Sequence, residues 1–170
     1  GALPYVSVNV SSRQFRQQDF VSQVKYALES TGISPSRLGI ELTESVMIVD
    51  THDTIDKMKA LKALGVSIAV DDFGTGYSSL AYLKQLPLDI LKIDRGFVRD
   101  ILSDTSDAVI VETIISMAKH LNINVIAEGV ETAGQLAFLK EKGCTIFQGY
   151  YFDQPLTAAS FAESYLKVTE

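Results

Sequence analysis

The stretch Val66-Ser67-Ile68-Ala69-Val70-Asp71-Asp72-Phe73-Gly74-Thr75-Gly76 runs from apolar residues straight into two carboxylates and then into a glycine-rich turn. Val, Ile and Ala with a single Ser, entered through Gly65, predict a buried strand over 66–70. A strand sends alternate side chains to opposite faces, so Ala69 and Asp71 share one face and Ile68 and Val70 the other. The same pattern recurs outward in both directions. Short Val/Ile-rich runs at 5–10, 38–42, 88–93, 124–127 and 145–147 end, on the same parity, in Asn9, Glu41, Lys92, Glu128 and Gln148. The other face reads Val8, Ile40, Val70, Leu91, Val125 and Phe147, apolar throughout, and is expected to pack on helices.

Helical periodicity fills the intervals. Phe20, Val24, Ala27 and Leu28 repeat at helical spacing before Gly32, and Ile55, Met58, Leu61 and Leu64 before Gly65. Further helices are expected over 109–121 and 136–142, and a last one from an N-cap at Thr157 to Val168. Strand and helix alternating at roughly 25–30 residues predict βα units and a parallel α/β sheet. An open doubly wound sheet and a (β/α)8 barrel both fit this pattern. An open sheet gathers its functional groups in one crevice fed by two or three strands. A barrel brings every strand end to one mouth. Six polar strand ends therefore favour the barrel. A complete one needs about 250 residues, so the 170 residues, read as a single domain over 1–170, hold about six units with the N-terminal portion missing.

Composition narrows the function. Fifteen basic against 21 acidic residues give a net charge of −6, a poor match to a DNA or RNA polymer. One cysteine, Cys144, excludes an intramolecular disulfide and a cysteine metal cage, and is expected as a buried packing residue. His52 and His120 lie far apart, on expected helix surfaces, which excludes a histidine cage. No apolar run reaches membrane-span length, residues 1–4 carry no signal peptide, and a cytoplasmic protein is expected.

The converging polar set is Asn9, Glu41, Glu44, Asp71, Asp72, Asp94, Glu128, Glu131 and Gln148, with Lys92 among them. Crowded carboxylates repel one another unless a cation sits between them. Oxygen donors without His or Cys suit Mg2+ or Mn2+. In the pair Asp71-Asp72 one carboxylate can bridge two ions while its neighbour binds the second, an arrangement suited to phosphoester cleavage. Lys92 can orient a water or offset developing negative charge, and Glu128 can take the water's proton or bind a metal. Acidic residues after a strand also cap the following helix. For Asp94 capping is the favoured reading, and Glu131 has the same option. The loop 73–79 reads either as an ordinary βα connection or as a lid, with Glu44 as its anchor. The run Tyr150-Tyr151-Phe152 is expected in the core, with base stacking as its alternative.

These residues stand in motifs that resemble the EAL domains, which hydrolyse the bacterial second messenger cyclic di-GMP. The motifs are Ser7-Val8-Asn9-Val10-Ser11, Glu41-Leu42-Thr43-Glu44-Ser45, Asp71-Asp72-Phe73-Gly74-Thr75-Gly76-Tyr77-Ser78-Ser79, Leu91-Lys92-Ile93-Asp94-Arg95, Ala127-Glu128-Gly129-Val130-Glu131 and Gln148-Gly149-Tyr150. They cover nearly the whole chain in the family's order. The resemblance implies a modified TIM barrel with a two-metal site for Mg2+ or Mn2+. It implies Asn9, Glu41 and Asp71 as ligands of one ion, and Asp71 and Asp72 as ligands of the other, with Glu128 as a further ligand. It also implies Glu128 as general base, Lys92 on the attacking water, and Glu44 holding a lid that contains Phe73, Gly74, Thr75 and Gly76. Gln148 and Glu131 lie at the substrate, and the product is linear pGpG.

The family's namesake Glu-Ala-Leu motif does not occur in the chain and is expected upstream of Gly1. The chain is accordingly read as the C-terminal two-thirds of such a domain, weak or inactive alone. Sensor or GGDEF domains are expected upstream in the parent, which is open to anchoring at the inner membrane. Exposed sheet edges are expected to drive homodimerisation or other association. The competing reading is a non-catalytic cyclic di-GMP receptor or scaffold module.

Overall fold

In the computed structural model, residues 5–48, 51–76 and 80–166 are described. Six strands form one parallel sheet in sequence order: β1 (Val6–Val10), β2 (Leu38–Thr43), β3 (Ser67–Phe73), β4 (Ile90–Ile93), β5 (Asn124–Ala127) and β6 (Ile146–Phe147). Every neighbouring pair is parallel, which requires a crossover between each strand and the next. The helices are α1 (Ser12–Phe15), α2 (Phe20–Thr31), α3 (Thr51–Leu64), α4 (Leu80–Leu83), α5 (Arg95–Asp100), α6 (Thr105–His120), α7 (Ala133–Glu141) and α8 (Ala158–Tyr165). The sheet does not close: β1 and β6 are its edges. This is the βα progression of a TIM-type barrel laid open.

The alternating pattern places the core where the sequence predicts it. Ile40, Val70, Leu91 and Val125 are buried on the helix-covered face, joined by Met58 and Leu61 of α3 and by Val111, Ile114, Ile115 and Ala118 of α6. Val8 departs from the pattern: on the β1 edge it is 44% exposed. On the other face Tyr5 reaches across β2, and its Oη hydrogen-bonds Ser67 Oγ at 2.6 Å. At the amino ends of the strands Lys62 pairs with Asp89 Oδ1 at 2.5 Å, and Asp89 Oδ2 accepts the Ile68 N–H at 2.8 Å. That clip ties α3, β3 and the approach to β4 together.

Three expectations need correction. The strand expected at 66–70 extends through Asp71 and Asp72 to Phe73. The helices around 109–121 and 136–142 begin earlier, at Thr105 and Ala133, because Asp104 and Thr132 cap them. Thr157 does cap α8, accepting the Ser160 N–H at 3.2 Å, but the expected end at Val168 lies outside the described residues, as do Tyr77, Ser78, Ser79 and residues 1–4. Tyr150, Tyr151 and Phe152 are not in the core: they are 61%, 45% and 52% exposed, and the side chains of α8 beyond them are largely exposed as well. Nothing covers the sheet beyond β6 among the described residues, so this run has no core to enter. Cys144 is buried and His52 and His120 are exposed, as expected.

Candidate active site

Lys92 is the only charged residue of β4 and is 4% exposed. An ammonium buried on a strand needs partners, and Lys92 has three. Its Nζ lies 2.6 Å from Glu41 Oε2, 2.7 Å from Glu128 Oε1 and 3.1 Å from Asp71 Oδ1. These groups come from the carboxyl ends of β2, β3, β4 and β5. Strand parity aims all four into one space, as the sequence pattern requires. Burial works against the ammonium, but the hydrogen bonds to Glu128 and Glu41 outweigh it and hold Lys92 well above the usual lysine range.

Asp72 joins the group by a different route. In a regular strand it would point away from Asp71. Here Val70 pairs with Leu91 but Phe73 pairs with Ile93, so two residues, Asp71 and Asp72, stand opposite Lys92 alone. This is a β-bulge, and Asp72 adopts a left-handed backbone with φ 54°. The bulge turns adjacent carboxylates toward the same space. Asp71, Asp72 and Glu128 each offer an oxygen within 4.8 Å of the others. Burial, the charge of Asp71 and a side-chain hydrogen bond with Asp94 raise the Asp72 pKa. Burial also raises Glu128, against the opposing pull of Lys92. Three carboxylates with one shared ammonium leave an excess of negative charge. Oxygen-only donors in that state fit a divalent cation of the Mg2+ or Mn2+ type.

The remaining candidates lie around this centre. Asn9 sits opposite Glu41 in the β1–β2 register, exposed at the sheet edge, with no side-chain hydrogen bond among the described residues. Glu44, 5% exposed, accepts the Gly76 N–H at 3.0 Å, which anchors the start of the loop after β3. A Cβ at position 76 would lie 2.8 Å from Glu44 Cδ, so a larger residue there would have to displace the Glu44 carboxylate. In the same loop Thr75 Oγ1 hydrogen-bonds the Asp72 carbonyl at 2.8 Å, Phe73 is buried and Gly74 has φ 100°. Glu131 and Gln148 are exposed and, with Asp72, Glu128 and Tyr150, line a cavity of about 420 Å3. Glu131 does not cap α7; Thr132 and Gln135 do so through a reciprocal capping box.

Asp94 does cap α5, accepting the Gly96 N–H at 2.8 Å, yet it also touches Asp72, so capping and site support coincide in one side chain. Sequence reading gave Arg95 no role and favoured the core for Tyr150, with base stacking as its alternative; both residues line the cavity. The signal for Arg95 lies in its neighbour rather than in itself. Gly129 has φ 70°, and a Cβ there would meet Arg95 Cβ at 2.6 Å. A glycine directly after Glu128 marks this close approach.

Comparison with known proteins yields consistent matches. A family model described as the EAL domain matches residues 2–155. The cyclic di-GMP phosphodiesterase NbdA of Pseudomonas aeruginosa is 46% identical over 158 residues, covering 93% of this chain and 20% of NbdA. A solved PaMucR phosphodiesterase in complex with c-di-GMP superposes with a TM-score of 0.88 at 43% identity, over 91% of this chain and 63% of that one. Klebsiella pneumoniae BlrP1, solved with manganese and cyclic di-GMP, gives a TM-score of 0.80 at 33% identity, over 88% of this chain and 38% of that one. The chain spans about a fifth of the length of the curated relatives it matches.

Proposed function

The chain belongs to the EAL domain family, and from that premise we propose that its cluster serves metal-dependent hydrolysis of cyclic di-GMP to linear pGpG. One observation carries this reading. Glu41, Asp71 and Glu128 meet on a single buried ammonium, while the bulge adds Asp72 to the same space. Such a centre carries more negative charge than its one ammonium offsets and has the donor set of a two-metal phosphodiesterase.

Asn9, Glu41 and Asp71 would hold one ion and Asp71 and Asp72 the other, with Glu128 within reach of the second. When bound, Mg2+ or Mn2+ activates the attacking water and offsets charge on the phosphodiester. Glu128 takes the water's proton on its carboxylate. Its raised pKa suits a base that must hold that proton briefly. Lys92 positions Glu128 and Glu41 by direct hydrogen bonds and would orient the attacking water. Glu44 holds the loop through the Gly76 N–H. Glu131 and Gln148 face the substrate from the cavity wall. The new P–O bond replaces the bond to one ribose oxygen, which leaves as an alkoxide and takes a proton from solvent, and the ring opens.

We read residues 1–170 as the C-terminal two-thirds of one EAL-type domain in a cytoplasmic setting, with sensor or GGDEF domains in the same parent. The exposure of Val6 and Val8 on β1 supports association through that edge. The function is tested by incubating cyclic di-GMP with Mn2+ or Mg2+, using both the chain and the full-length protein. Formation of pGpG by the full-length protein, lost in E128Q, is the expected result. Binding without turnover in the full-length protein would instead identify a receptor.

A further inference from the structure

We propose that Arg95 grips a phosphate of the cyclic dinucleotide at the cavity rim. This assignment rests on the function proposed above and adds a residue that determines affinity. The argument begins with charge. The cavity wall is formed by Asp72, Glu128, Glu131, Gln148 and Tyr150, three of them acidic. The ions proposed above would answer the scissile phosphate, but the second phosphate of the cyclic dinucleotide meets repulsion at this rim unless another cation answers it. Lys92 is not available, because its ammonium is already shared by three carboxylates and is buried. Arg99, one turn further along α5, is committed to Asp100 through Nε at 3.0 Å and Nη2 at 2.7 Å.

Among the described residues, Arg95 is the only basic one lining that cavity. It is exposed and makes no ion pair among the described residues. It also lines the adjoining cavity of about 430 Å3 with Asp94, Gly129 and Glu131, so it stands on the ridge between the two. Its root is fixed, since its Cβ packs against Gly129, the residue directly after Glu128. A guanidinium held there presents a planar fork of donors that matches two phosphate oxygens.

The test uses the full-length protein, with calorimetry of cyclic di-GMP in Ca2+ to read binding and steady-state kinetics in Mn2+ to read turnover. R95Q should weaken binding and raise KM about tenfold, leave kcat within twofold, and make binding less sensitive to salt, because one charged contact is gone. R95K, which keeps the charge but not the fork, should fall between the two. R95Q with wild-type Kd and KM overturns the assignment. So does weaker binding with unchanged salt dependence, or a lower kcat at unchanged KM. A wild-type protein that neither binds nor cleaves cyclic di-GMP overturns the proposed function and this assignment together, whereas wild-type activity indifferent to R95Q overturns this assignment alone.

Discussion

The two ends of the sheet each carry a lysine–carboxylate contact, and they differ in charge balance. At the amino ends Lys62 meets one carboxylate, Asp89, whose second oxygen is taken by a backbone N–H. Charge and hydrogen bonding are both satisfied, and the result is a clip. At the carboxyl ends Lys92 meets three carboxylates, with Asp72 close by. There the charge cannot balance within the protein. Similar residue types thus form a balanced clip at one end and a cluster with surplus negative charge at the other. The surplus, rather than the presence of an ion pair, marks the functional end.

The largest effect that would sharpen this contrast is on turnover. E128Q keeps the shape but cannot accept a proton, so pGpG formation by the full-length protein should fall about 10²–10⁴-fold, while D89N should leave kcat within a few-fold. The next is on stability. K92M leaves buried carboxylates uncompensated and should cost about 3–5 kcal/mol by denaturant unfolding without metal. K62M, at a site about one-third exposed, should cost about 1 kcal/mol or less. Equal losses at the two ends would break the comparison.

Metal should act at one end only. At a hundredfold excess over Kd, Mn2+ should stabilise the folded chain by about 2.7 kcal/mol, read as a rise in Tm of roughly 5–10 °C. D71N and D72N should abolish the rise and D89N should keep it. The smallest effect is on pH dependence. Glu128 and Asp72 have raised pKa values in the folded chain. The folded state therefore binds more protons than the unfolded one between the ordinary carboxylate value and the raised one. Stability then falls as pH rises through that window. In EDTA, E128Q should flatten the decline in Tm that sets in above the ordinary carboxylate range, by on the order of 1 °C.

Most of this arrangement was legible because one rule governs it. Strand alternation alone aligns Glu41, Asp71, Lys92 and Glu128, and the matching motifs gave the same residues. Two features escaped the rule. The bulge at Asp71–Asp72 breaks alternation, and the backbone φ of Asp72 leaves no trace in composition. The exposure of Tyr150, Tyr151 and Phe152 depends on what does or does not pack beyond β6, which periodicity cannot report. Arg95 belongs to the same class, since only its contact with Gly129 places it at the rim.

The strict sequence order of the strands bears on how the chain reaches this state. Each strand pairs with the next in sequence, from Ile126 to Ile146, 20 residues on, up to Leu91 to Val125, 34 residues on. Loop closure costs little more at the longer separation than at the shorter. No pairing waits for a distant segment, so each βα unit can dock on its predecessor as it leaves the ribosome. If docking follows the order of synthesis, the carboxylates of β2 and β3 meet before Lys92 of β4 reaches them. K92M should therefore speed unfolding far more than it slows folding, a kinetic signature that stopped-flow measurements can read directly.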